Sequence, residues 1–291
     1  MIRRYPLAVF FVIACGLSWL IWAPLWLPAV GVSGLPTLPY HHALGALGPI
    51  AAAFLVSGAV GGRASTGDLA RRMVLWRGRA VWVLVALLAP FALLALAMSA
   101  TSLLGEGRGS LARLGTSREF PELSAIAFLT YNIVSFGLGE EVGWRGFALP
   151  RLQARHNALT SSLLLTVGWA LWHIPLFAYR PGYTGMGAAG VAGWLFSLVT
   201  GSILLTWLYN ESEGSLLTVA LFHASMDVVF TTDGTSPMVV NAIGALTTLW
   251  GVVIVIVAGP RFLSRKGKMV WGRAGVTEME ERHPDVVLAI R

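Results

Sequence analysis

Gly137-Leu-Gly-Glu-Glu-Val-Gly-Trp-Arg-Gly-Phe147 sets two adjacent carboxylates and an arginine inside an otherwise apolar stretch. Buried charge is expensive unless it is paired. If the stretch is helical, Glu141 and Arg145 stand at i and i+4 on one face, and Glu140 points about 100° away from them. The pair neutralises one carboxylate and leaves Glu140 for another partner. An ion pair that merely pins two helices would account for Glu141 and Arg145. It accounts poorly for Glu140.

What surrounds this stretch decides the fold class. The chain has 291 residues, of which 56% are hydrophobic and only 12% charged, with 12 tryptophans. Charged residues are about a quarter of an ordinary soluble domain, so the composition is that of an all-α, polytopic integral membrane protein. Spans of about 20 apolar residues fall at 6–28, 41–60, 80–104, 122–150, 158–178, 189–209, 214–232 and 239–259, roughly eight transmembrane helices. The fourth and seventh are the polar ones. Gly31-Val-Ser-Gly-Leu-Pro36 and Arg180-Pro-Gly-Tyr-Thr-Gly185 read as short turns between spans. Residues 1–260 thus form one transmembrane helical domain, and 261–291 a basic, loosely ordered cytoplasmic tail. Arg3-Arg4 precedes an apolar run as in a signal peptide, but the run continues to Pro28 without a cleavage pattern and reads as a retained first helix.

The lone Cys15 offers neither a disulfide framework nor a thiolate metal site. The net charge of +7 is not read as nucleic-acid binding, because Lys and Arg of a membrane protein collect in cytoplasmic loops. Two at the N-terminus, five in 61–79, two in 151–157 and seven beyond 260 make sixteen on one side, against four (Arg108, Arg113, Arg118, Arg180) on the other. The positive-inside rule therefore makes both termini cytoplasmic. The 61–79 loop, with Leu69, Met73, Leu75 and Trp76 among its arginines, reads as an amphipathic segment at the inner surface.

Ionisable groups inside spans mark function by default, and here they are Glu140 and Glu141, His173, and His223 with Asp227. Glu140 lies 17 residues before Asn157 and His173 lies 16 after it, so both sit roughly 25 Å from the turn between spans four and five. Spans six and seven turn at Asn210-Glu-Ser-Glu-Gly214 on the same side, with His223 and Asp227 on one helix face about 15–20 Å away. These groups can share one polar cavity, expected to open towards the cytoplasm. Each alone has a plainer explanation: a histidine can hydrogen-bond a neighbouring helix, and Asp227 can orient the His223 imidazole from i+4. Their combination on three spans is hard to explain as packing. His41 and His42 lie at the outer end of span two and are left outside the site.

Glu140-Glu-Val-Gly-Trp-Arg145 matches an E-E-x-x-x-R motif, Trp169-Ala-Leu-Trp-His173 resembles F-x-x-x-H, and His223-Ala-Ser-Met-Asp227 matches H-x-x-x-N/D. In this order, on separate helices, the three motifs resemble the CAAX protease and bacteriocin-processing (CPBP) family of intramembrane endopeptidases, relatives of the eukaryotic type II CAAX prenyl endopeptidase. The resemblance covers about residues 120–232, and Leu47-Gly-Pro-Ile-Ala-Ala52 also looks family-like. Trp169 replaces the usual phenylalanine, a change of bulk expected to reshape the pocket more than the chemistry. Asp227 stands where the prenyl-protease branch tends to have asparagine, and an ionised aspartate cannot donate to an oxyanion.

The resemblance implies an intramembrane endopeptidase acting on membrane-associated or lipid-linked peptides. In the favoured reading Glu140 is the general base, with His173 beside it at the attacking water. His223 stabilises the oxyanion, Asp227 positions His223, and Arg145 holds Glu141 as support. The competing reading makes His173, His223 and Asp227 ligands of a divalent metal such as zinc, without an H-E-x-x-H helix to compel it. A binding scaffold or immunity protein, and a transporter with a proton relay, are the readings of other classes. The short loops look like those of a prokaryotic member, so the expected setting is a prokaryotic cytoplasmic membrane.

Overall fold

In lipid every backbone N–H and C=O must be paired within its own segment, so the apolar runs fold as helices. The computed structural model describes residues 2–74, 80–105, 113–117 and 119–270, and among these no β-strand occurs. The helices are α1 (Pro6–Ile21), α2 (Ala23–Trp26), α3 (His41–Ala46), α4 (Gly48–Val74), α5 (Ala80–Leu103), α6 (Ala125–Asn132), α7 (Gly139–Gly143), α8 (Leu149–Gln153), α9 (Ala158–Trp172), α10 (Leu176–Tyr179), α11 (Ala188–Glu211), α12 (Leu216–Thr231) and α13 (Pro237–Ala258).

Five of the eight expected spans are long and apolar enough to cross a membrane, and α1 with the segment Ala23–Val30, bent by 57°, makes a sixth. The other two depart from a regular span. Residues 125–153 form one helical run in which α6, α7 and α8 are joined by π-helical turns at Ile133–Leu138 and Trp144–Ala148. The helix α12 has 16 residues, fewer than a full crossing needs. Both lie inside the bundle, where α7 packs on α4, and α12 packs on α5 and on the first π turn. An interior helix needs no apolar surface for lipid, which is why polar residues can be carried here.

The glycines of the opening stretch make this burial feasible. A Cβ on Gly137 would lie 2.5 Å from the carbonyl oxygen of Ala220, and one on Gly143 would lie 2.5 Å from Pro49 Cβ and 2.7 Å from its carbonyl oxygen. The motif helix is thus clamped between α12 and the start of α4, where backbones meet without side chains between them. Gly143→Ala should destabilise the protein by about 1–3 kcal/mol through overpacking, seen as a lower unfolding midpoint in detergent. An unchanged midpoint would show that Pro49 can retreat.

At the basic end the expected 61–79 segment is helical as far as Val74, set off from the first part of α4 by a break at Gly62 (φ +59°), and tied into the protein. Leu69 is fully buried, and Arg72 donates to Tyr209 Oη at 3.2 Å and to the Gly146 carbonyl at 3.2 Å. Leu75 and Trp76 lie outside the described residues.

The tail expected to be loose is docked over its first ten residues. Gln153 donates to the Met269 carbonyl at 2.8 Å, Asn210 donates to the Phe262 carbonyl at 2.9 Å, and Leu263 is buried. Gln153 and Asn210 are themselves fully buried, and buried amides require partners. They pair with each other at 3.1 and 2.9 Å, and the tail backbone supplies further partners. Residues 271–291 lie outside the described residues.

A cavity of about 1170 Å³ runs between α6, α9, α11, α12 and α13. It was expected to open at the end carrying the 151–157 and 210–214 turns. Its lining includes Ser117, Glu119, Phe120, Arg180 and Tyr183, from connections at the other end of the bundle, and exposed residues of α11 and α13 such as Gly193 and Asn241.

Candidate active site

Three helices bring the motif residues together, and local sequence fixes each. Asn157 caps α9 by accepting from the Thr160 amide at 2.8 Å, which sets where Trp169 and His173 fall around that helix. The helix ends at Trp172 with His173 as its cap, and Pro175 lies two residues beyond, a residue that disfavours continuation. Trp19 and Ser18 of α1 brace this end: Trp19 Nε1 donates to the Trp172 carbonyl at 3.0 Å, and Trp172 Nε1 donates to Ser18 Oγ at 2.6 Å. Ser215 caps α12 through the Thr218 amide. Its next two turns carry His223 and Asp227.

Glu140 is 4% exposed and lines the cavity. Two indole N–H groups hold the same carboxylate oxygen, Oε2: Trp169 Nε1 at 2.7 Å and Trp144 Nε1 at 3.2 Å. No described residue hydrogen-bonds Oε1. Trp144 stands at i+4 from Glu140, so its partnership was open to a spacing argument and was missed. Trp169 does more than change bulk, because phenylalanine would have no N–H to give. Trp169→Phe removes the shorter of the two bonds and leaves the other. It should destabilise the protein by about 1–3 kcal/mol through the lost hydrogen bond to the buried carboxyl, seen as a lower unfolding midpoint. Equal midpoints in both proteins would show that Trp144 alone suffices.

Glu141 is fully buried and bridges an arginine and a histidine through one oxygen. Oε1 accepts from Arg145 Nη1 at 2.9 Å and from His223 Nδ1 at 2.7 Å. Arg145, also fully buried, reaches Ser202 Oγ at 3.4 Å, and its guanidinium carbon lies 4.8 Å from the centre of the Trp169 ring. The partner expected to position His223 was Asp227. The structure gives that hydrogen bond to Glu141, while Asp227 Oδ2 lies 3.7 Å from His223 Nε2, too far for a direct bond.

His173 Nδ1 lies 2.7 Å from the Trp169 carbonyl oxygen. A carbonyl can only accept, so Nδ1 carries the proton and Nε2 of the neutral ring keeps its lone pair. The ring is enclosed by Trp169, Trp172, Tyr183 and Trp194. Glu140, Trp169, His173, His223 and Asp227 all line the one cavity, while Glu141 and Arg145 sit behind it. His42, left outside the site on sequence grounds, also lines it, with Nδ1 2.7 Å from Tyr179 Oη.

Among the described residues no three His, Cys, Asp or Glu side chains, the expected metal ligands His173, His223 and Asp227 included, are gathered as a ligand set.

Residues 122–229 match the family model described as Type II CAAX prenyl endopeptidase Rce1-like. CAAX prenyl protease 2 of Methanococcus maripaludis is 30% identical over 88 residues, which are 29% of this chain and 32% of that protein. The chain therefore spans about a third of the length of this curated relative. Three motifs on three buried helices, and the matched segment that contains them, point the same way.

Proposed function

We propose, from the premise that residues 122–229 belong with the Rce1-like CAAX proteases, that the protein is an intramembrane endopeptidase in which Glu140 activates the hydrolytic water. The observation that carries this reading is a carboxylate pinned through one oxygen by two indoles at the wall of a large cavity, with two histidines beside it. A purely structural glutamate has no use for such a cavity. In a low-dielectric site, fixed donors and a fixed base act at little reorganisation cost.

Water bound between Glu140 and His173 Nε2 attacks the scissile carbonyl carbon and gives a proton to Glu140. The carbonyl π electrons pass to its oxygen. With both ring nitrogens protonated, His223 donates Nδ1–H to Glu141 and is left with Nε2–H for that oxyanion. Glu141 and Arg145 keep the ring in place. Collapse of the tetrahedral intermediate breaks the C–N bond, and Glu140 returns its proton to the leaving amine. Asp227, facing Nε2 at 3.7 Å, lies where it can meet the proton on that nitrogen before substrate arrives.

Aromatic walls and the membrane setting suit a membrane-associated peptide. The test is mass spectrometry of peptide termini from membranes holding wild-type or Glu140→Gln protein. Termini that disappear in the variant support the reading and name the substrates. Identical termini, with both proteins equally expressed, would remove it.

A further inference from the structure

Arg72 stands near the end of α4 beside Arg71, which is exposed, yet only 9% of Arg72 itself is exposed. Long basic side chains normally keep the charged head in water. This one reaches inwards to three partners. Nη2 donates to the Gly146 carbonyl at 3.2 Å, Nη1 donates to the hydroxyl of the buried Tyr209 on α11 at 3.2 Å, and Nε lies 3.0 Å from Asp68 Oδ2 one turn back on α4. The Gly146 carbonyl has a reason to take a donor from outside its own helix. Its α-helical donor would be the N–H of residue 150, and Pro150 has none. Gly146 lies in the π turn Trp144–Ala148, and π turns within α-helices are frequent at functional sites. The approach of α4 is close here: a Cβ on Gly146 would lie 3.0 Å from Leu69 Cδ1, three residues before Arg72, and 2.9 Å from Leu216 Cδ1 of α12. From the same turn, Trp144 Nε1 donates to Glu140 at 3.2 Å and Arg145 Nη1 to Glu141 at 2.9 Å. Both donors of the motif therefore leave from a turn whose next residue is tied to another helix.

Resting on the reading of Glu140 as the base, we infer that Arg72 is a positioning residue: by holding the Gly146 carbonyl it fixes the π turn from which the Trp144 indole reaches Glu140. Arg72 is not among the residues lining the cavity, so it acts through the turn and not on substrate. Its removal should slow the chemical step and leave substrate binding alone. A planar guanidinium presents several donors in a rigid fork, which suits it to Gly146, Tyr209 and Asp68 together better than the point charge of a lysine. The pairing with Asp68 and Tyr209 holds the fork, and the fork holds the turn.

The test uses the full chain, purified in detergent and isotope-labelled at tryptophan for nuclear magnetic resonance. The Trp144 indole resonance is assigned by its absence from Trp144→Phe. Arg72→Met keeps an unbranched side chain and removes its donors. It is expected to move the Trp144 indole resonance and to lower kcat about ten- to a hundredfold, the scale of a small misplacement passed on from a distant residue, with KM little changed. Turnover is read on a peptide found by the comparison of termini above. Ile254→Ala is the structural control: Ile254 is buried on α13 in a second cluster with Ala158 and Ile203. It should lower the unfolding midpoint and change neither the resonance nor kcat. An unmoved Trp144 resonance in Arg72→Met, a wild-type kcat there, or equal losses in Ile254→Ala would overturn the inference. Should Arg72→Met not fold, Asp68→Asn removes only the partly exposed carboxylate beside Nε and is expected to move the same resonance by less; no movement would again overturn it. Membranes in which wild-type protein yields no Glu140-dependent termini would overturn the proteolytic reading, and with it the positioning of a base. Glu140-dependent cleavage that persists at full rate in Arg72→Met would overturn the inference alone.

Discussion

Glu140→Gln is expected to lower kcat by about 10²- to 10⁴-fold, the usual contribution of a general base, while the protein folds and inserts as before. The reason for expecting intact structure is specific. A glutamine side-chain oxygen still accepts from Trp169 Nε1 and Trp144 Nε1, which lie 2.7 and 3.2 Å from the carboxylate oxygen it replaces. What it lacks is the basicity to take a proton from water. Glu140→Ala would confound the two effects by leaving both buried indoles without their acceptor. The thermal unfolding midpoint should therefore be close to wild type for glutamine and lower for alanine. A glutamine variant as active as wild type would assign the water-activating role elsewhere.

Glu141→Gln is expected to act on stability first. Glu141 and Arg145 are both fully buried and joined at 2.9 Å, so neutralising the glutamate leaves a guanidinium without its counter-charge inside the bundle. Breaking one side of a buried pair costs about 3–5 kcal/mol, against about a few tenths for an exposed pair such as Arg71 with Asp68. Removing both charges, as in Glu141→Met with Arg145→Leu, should recover much of that loss, because the uncompensated charge is gone. It should not recover activity, because His223 loses the partner that now holds Nδ1 at 2.7 Å. Unfolding midpoints and turnover measured on the single and double variants separate the two roles. Full activity in the double variant would show that Glu141 serves only Arg145.

Much of this was legible in the sequence, for identifiable reasons. Helical spacing alone pairs Glu141 with Arg145, and counting residues from the Asn157 turn puts Glu140 and His173 at one depth. What the count could not supply was which way the helices face. The π turns on either side of Gly139–Gly143 shift the phase of the motif helix, and with it Glu141 meets His223 on another span. No pattern in the sequence marks a π turn. Spacing makes Asp227, at i+4 from His223, the expected partner, but the two side chains approach only to 3.7 Å. The docking of residues 260–270 was hidden because the tail is held through its backbone groups, which add to the mutual hydrogen bonds of Gln153 and Asn210.

The buried tryptophans show how composition can mislead. Trp144 and Trp169 look like bulk in an apolar protein, yet each also places an N–H against Glu140. Burying an indole is favourable only when its N–H finds an acceptor. Here the acceptor is the group assigned to the chemistry, so ring packing and the position of the base are coupled. That coupling makes the π turn at Trp144–Ala148 relevant to activity as well as to shape.

The most direct test is the cleavage rate of one identified peptide by purified wild-type protein and by Glu140→Gln, each with and without a strong chelator. The account predicts that wild type keeps its rate in chelator and that the variant loses about 10²-fold or more at an unchanged unfolding midpoint. A fully active variant would contradict it. So would wild-type activity that vanishes in chelator and returns with zinc.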